Sequence, residues 1–136
     1  MLPVFLLCGC AESPVSGVAS DREISSLTGV SLAIDSVTPT GSVYTLTNDT
    51  DTPVQCSTGA DCFLETEVKG EWREVMEKGE YNPVTMELYY CTREKPLTQS
   101  ADWTERYGPL PTGRYRLLKY VWLEDGAWLA AEFSVK

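Results

Sequence analysis

From Val30 onward the chain alternates between apolar and polar positions. Val30, Leu32 and Ile34 stand against Ser31, Ala33 and Asp35, the period of two that a half-buried strand requires. A turn at Thr38 to Ser42 leads into Val43 to Asn48, rich in β-branched and aromatic residues, so the two runs predict consecutive antiparallel strands from Val30 to Val37 and from Val43 to Asn48. Cys62, Leu64, Thr66 and Val68 then alternate with Phe63, Glu65 and Glu67. Lys69 to Glu71 turns the chain and Trp72 to Val75 returns it, as a hairpin would. Met86 to Cys91 is expected as an edge strand. Leu97 to Trp103 is expected as the next strand, carrying Trp103 into the core.

The longest alternating run lies near the C-terminus. Tyr115, Leu117, Lys119, Val121 and Leu123 share one side of a strand from Arg114 to Leu123, with Arg116, Leu118, Tyr120 and Trp122 on the other. Both sides are largely apolar, which predicts a central strand with its outer face partly covered. Asp125 and Gly126 form a strong short hairpin signal. Beyond it, Trp128, Ala130, Glu132 and Ser134 alternate with Leu129, Ala131, Phe133 and Val135 in the last strand. About seven short antiparallel strands, turn signals at intervals of roughly ten residues and no long amphipathic helix predict an all-β sandwich.

One corner of that sandwich is visible in the sequence. Pro109 to Gly113 is a Pro- and Gly-rich turn delivering the chain into the strand that carries Tyr115. In immunoglobulin-type sandwiches a Tyr at this place sends its hydroxyl back to the backbone just upstream and pins the connection between the sheets. Gly113 and Tyr115 are the expected corner.

Composition bounds the rest. The chain has 136 residues, 43% of them hydrophobic, enough for one core and a leader. Eleven basic against twenty acidic residues give a net charge of -9, so binding nucleic acid by phosphate neutralisation is disfavoured. The chain has no His, and no Ser or Cys stands in a recognisable nucleophile turn, so an enzyme is not expected. No metal or cofactor is expected either. Asn48, Asp49 and Asp51 lack the spacing of a calcium loop, and Cys56, Cys62 and Cys91 make a poor zinc set.

Leu2 to Leu7 is a short apolar run followed by Cys8, Gly9 and Cys10. A small residue before a Cys, with Leu further back, resembles the lipobox of bacterial lipoproteins. That resemblance implies cleavage before Cys10, acylation of Cys10, and an extracytoplasmic domain anchored to the membrane at ~0.8 kcal/mol per buried methylene. No Lys or Arg precedes the apolar run, so the start codon is expected upstream. Residues 1–9 then read as a signal peptide, 10–29 as a lipidated Cys and a flexible Ser- and Gly-rich tether, and 30–136 as the domain. In an exported protein, Cys56 and Cys62 are expected to close a loop disulfide, with pairings through Cys91 as the alternatives.

Further residues carry a second resemblance. Thr38 with Gly41, Asn48 with Thr50, Gly59 with Leu64 and Glu65, and Gly70 with Trp72 and Val75 occur in order. They are followed by Trp103, Tyr107, Gly108, Leu110, Gly113, Tyr115, Arg116, Lys119, Glu132 and Phe133. From about Val30 to Lys136 the chain resembles the bacterial immunoglobulin-like domains of exported lipoproteins. The resemblance implies a fold and an envelope location, not an activity. Leu117 stands where antibody-type domains carry their second sheet-bridging Cys, so no inter-sheet disulfide is expected.

The candidate binding surface is aromatic. Trp122 and Trp128 flank the last hairpin, with Tyr120 and Arg116 on the same strand side as Trp122. They read as cross-strand packing or as a patch for a partner. Arg114, Arg116 and Lys119 form a basic set that reads as an acid-binding group or as ion pairs with neighbouring strands. The resulting expectation is a lipid-anchored module binding or scaffolding an envelope protein or polysaccharide. The alternative is an accessory or inhibitor lipoprotein docked on an exported enzyme.

Overall fold

The computed structural model describes residues 18–79 and 87–136. Among them are nine strands rather than about seven, and no helix long and apolar enough to cross a membrane. They are β1 (Val30–Thr38), β2 (Gly41–Asn48), β3 (Val54–Cys56), β4 (Phe63–Val68), β5 (Glu71–Glu74), β6 (Tyr89–Cys91), β7 (Leu97–Asp102), β8 (Gly113–Leu123) and β9 (Asp125–Val135). The strand missing from the sequence reading is β3. Three residues between Pro53 and Gly59 are too few to show alternation.

The strands make two antiparallel sheets. The smaller runs β1-β2-β7. The larger runs β5-β4-β8-β3-β6, with β9 paired to β8 along its length from Gly113 opposite Val135 to Leu123 opposite Asp125. Leu117 and Leu118 pair with β4 and with β9 at once, so β9 and β4 flank β8 on opposite sides. On the β4 side, β8 has two partners laid end to end. Tyr115 to Leu118 pair with β4, whereas Val121 and Trp122 pair with β3. The ladder is interrupted between them, where residues 57–62 reach toward the small sheet: Tyr44 donates its hydroxyl to the Gly59 carbonyl at 2.7 Å and Gln99 its amide to Ser57 at 2.9 Å.

Strand parity sorts the side chains. Tyr115, Leu117, Lys119 and Val121 point into the sandwich, each fully buried. Two apolar clusters fill the interior. One gathers Tyr115, Leu117, Trp103, Phe133 and Leu64, and the other gathers Val121, Leu129, Leu46, Val54 and Cys91. Phe133 stacks on both Tyr115 and Trp103, at centroid distances of 5.6 and 6.1 Å. The Trp103 indole donates to the Pro39 carbonyl at 2.8 Å, which ties the chain after β7 to the β1–β2 turn.

Two expected turns differ in detail. Lys69 and Gly70 both have positive φ, the backbone of a two-residue hairpin turn between Val68 and Glu71. The last hairpin, expected to turn over Glu124 to Gly126, reverses on Glu124 alone, with φ of 68°, because Asp125 and Gly126 already pair with Leu123 and Trp122 of β8. Gly126 is needed for another reason. A Cβ there would fall 1.8 Å from the Tyr120 hydroxyl, because that ring lies across the glycine.

The reading of residues 10–29 as a tether is corrected from Val18 onward. Glu74 donates its backbone N–H to Val18 at 3.1 Å and Ser20 donates to Trp72 at 2.9 Å, so the segment first pairs with β5. Ser25 then donates to Trp128 at 2.9 Å, on the opposite edge of the sheet. In between, the chain crosses the outer face of β4 and β8. Its Ser-rich composition resembles a linker, but its backbone polar groups find partners on both edges.

Candidate functional site

The outer face of the large sheet divides into a covered half and an open half. The covered half lies under the crossing segment, around Phe63, Glu65, Arg116, Leu118 and Trp128. Glu65 is fully buried there, although its strand position faces outward. A buried carboxylate is costly unless charges and hydrogen bonds compensate it. Here Arg22 reaches it at 2.9 Å, Arg116 at 2.6 Å, and the Ser20 hydroxyl donates to it as well. Arg22 also lies over the rings of Phe63 and Trp128, 4.7 and 4.9 Å from their centroids. Arg116 stacks on Trp72 at 4.5 Å. The crossing segment is thereby fastened by one arginine against an acid and two rings.

The open half surrounds the second part of β8. Gln55 pairs with Tyr90 on one side and with Trp122 on the other, so the two aromatics stand on one face two strands apart. At an interstrand spacing of about 4.8 Å, that places their backbones roughly 10 Å from each other. Tyr90 is 60% exposed and Trp122 40%. Tyr120 makes edge-on contacts with Trp122 and with Trp128, at 5.1 and 5.0 Å. Trp122 and Trp128 therefore do both things the sequence offered. Trp128 packs, half-buried, and Trp122 stays open.

Beside them runs a groove of about 520 Å³ between the crossing segment and the β8–β9 hairpin. Asp21, Glu23 and Ser25 line one wall and Tyr120, Gly126 and Trp128 the other.

The remaining sequence candidates fall elsewhere. Cys10 lies outside the described residues. Tyr115 donates its hydroxyl to the Pro111 carbonyl at 2.7 Å, four residues upstream, with Gly113 beneath its ring. Burial pushes the Tyr115 hydroxyl up to about 12.

The expected bridge between Cys56 and Cys62 is absent. Both are free and buried, as is Cys91. Cys56 ends β3 in the cluster around Val121, Cys62 packs in the cluster around Tyr115, and Lys119 lies on β8 between those two positions. The loop is closed by Lys119 instead. Its ammonium donates to the carbonyls of Ser57 at 3.2 Å, Asp61 at 3.0 Å and Thr58. A lysine suits this gap because its ammonium offers three donors, adding to Gln99 on the Ser57 carbonyl and the Asp61 N–H on that of Thr58. Burial lowers its pKa, opposed by Cys56, Cys62 and Asp61 nearby. Burial raises the Cys62 thiol to about 11, against the pull of Lys119 and Arg106.

The supposed basic set is thus no set. Arg114 pairs with Glu67 and Glu132 on the outer surface, Arg116 serves Glu65, and Lys119 points inward. Among the described residues no cluster of His, Cys, Asp and Glu could hold a metal ion. Glu65 and the crossing segment were missed as partners because Arg22 and Glu65 lie 43 residues apart. The available signal was an acid facing Arg116 directly across β4 and β8.

Two packed antiparallel sheets, a Tyr corner at the entry to the central strand and no helix among the described residues define an immunoglobulin-like β-sandwich. A family model described as Bacterial Ig-like domain matches residues 26–134, and the chain belongs to that family. Comparison with curated proteins finds no match, and neither does comparison with solved structures. Membership suggests a surface or scaffolding role.

Proposed function

We propose that this chain is a non-enzymatic envelope module, anchored through lipid on Cys10, that binds a partner on the open half of its large sheet. The observation that carries the reading is the pair Tyr90 and Trp122, exposed on either side of Gln55. Trp and Tyr are enriched at the centres of interfaces, where they contribute large apolar area together with a polar tip. A sheet face is also a rigid platform, so little ordering entropy opposes binding. The anchor rests on the resemblance of Leu7 to Cys10 to a lipobox, and it holds this face near other envelope components.

Two experiments test the reading. The full chain is immobilised and exposed to solubilised envelope proteins and, separately, to cell-wall material. Wild type should retain a component that the double variant Tyr90→Ser with Trp122→Ser loses. Equal retention by both, or by neither, overturns the binding face. Cys10→Ala should move the protein from the membrane to the soluble fraction, and continued membrane partitioning overturns the anchor.

A further inference from the structure

We infer that the groove beside Trp122 receives an Arg- or Lys-bearing peptide segment of a partner protein. This rests on the open half being the binding face, and it adds the chemistry of the occupant.

The charges around the groove carry the inference. Asp21 and Glu23 line it, and Glu124 and Asp125 form the tip of the β8–β9 hairpin that walls it. All four are exposed, and none makes an ion pair or a side-chain hydrogen bond among the described residues. Most carboxylates elsewhere on the surface have a partner, Glu94 and Glu105 excepted among the described residues. Glu67, Glu71, Glu74, Glu77, Asp49, Asp51 and Glu132 each meet an arginine. The one cation in the groove wall, Arg22, is already engaged by buried Glu65.

The aromatic side of the groove agrees with the charge. Ring faces attract guanidinium and ammonium groups, more strongly as water is excluded. Tyr120 and Trp128 line the groove, and Trp122 adjoins them through Tyr120. In the groove wall itself the chain shows the same combination filled. Arg22 sits over Phe63 and Trp128 with a carboxylate behind it. The groove's own cation, Arg22, is taken up by Glu65, Glu74 and the Trp128 ring, which leaves Tyr120, Trp122 and the acids without one. An anionic polymer would meet four carboxylates and a net charge of -9.

Binding is followed on the full chain through the indole N–H resonances of Trp122 and Trp128. The probes are a tetra-arginine peptide, its uncharged tetra-citrulline analogue and a neutral N-acetylglucosamine tetramer. Tetra-arginine should shift both indoles saturably and weaken with added salt. Trp122→Ala, and separately Glu124→Gln with Asp125→Asn, should each weaken binding about fivefold or more.

Tetra-arginine binding that neither variant weakens is adventitious attraction to an acidic protein, and overturns the inference. Equal shifts with citrulline or the sugar overturn the cationic occupant while leaving the binding face standing. Indoles that no probe moves overturn the groove site, and the retention experiment then decides the face by itself.

Discussion

The guanidinium of Arg22 lies 2.9 Å from a carboxylate oxygen of Glu65, which is fully buried. Through that pair a segment that reads as a linker becomes part of the sheet. Removing one partner of a buried ion pair costs about 3–5 kcal/mol when the other is left uncompensated. Glu65 keeps Arg116 and Ser20 when Arg22 is lost, so Arg22→Ala should cost less, about 2 kcal/mol. Glu65→Ala strands Arg116 and leaves Arg22 only the longer contact to Glu74, so it should cost more. Urea unfolding midpoints check the order, and equal midpoints for wild type and Arg22→Ala would show that the segment contributes nothing.

Tyr115→Phe removes the hydroxyl that donates to Pro111 while keeping the ring against Phe133. The expected loss is about 1 kcal/mol, measured as a shift in the denaturant midpoint.

Lys119→Met keeps most of the side chain's length and volume but leaves the Asp61 carbonyl without its donor, while Ser57 keeps the Gln99 amide and Thr58 the Asp61 N–H. Unsatisfied buried acceptors cost about 1–3 kcal/mol each, and partial hydration of an opened loop recovers some of that. A net loss of about 1–3 kcal/mol is expected. Amide exchange should quicken over residues 57–62 before it does in β8.

Alkaline pH should destabilise the fold through Cys62. Its folded-state pKa is raised from 9.0 to about 11, chiefly by burial. The contribution is complete below pH 9. It is lost as pH rises through 11, because the unfolded thiol ionises first. A shift of that size corresponds to about 2–3 kcal/mol. Lys119 acts in the opposite sense. Its lowered pKa leaves the unfolded lysine holding its proton up to 10.5, so its share of stability grows with pH up to that point. The difference between wild type and Cys62→Ala, followed from pH 8 to 11, isolates the thiol.

Much of the sandwich is legible in the sequence because a strand's period of two is local. The parity of Tyr115, Leu117 and Val121 marks the buried side of β8, and the outward set Phe63, Glu65 and Glu67 is equally plain. Parity also places Lys119 inside, a signal hidden by grouping it with Arg114 and Arg116. What local pattern does not carry is pairing between distant residues. The partners of Lys119 lie 58 to 62 residues upstream, and Arg22 meets Glu65 across a crossing that no periodicity announces. Half of the candidate surface was visible as Trp122 and Trp128. The other half, Tyr90 and the carboxylates of the crossing segment, needed the register of β3 and the path of residues 18–25.

The most direct measurement of the binding face is photo-crosslinking in intact cells, with a benzophenone amino acid placed at Trp122 or, as control, at Thr98 on the exposed face of the small sheet. A discrete adduct from position 122 and none from position 98 is the expected result. Adducts of equal yield from both positions, or none from position 122, would contradict the open half of the large sheet as the site where this protein meets its partner.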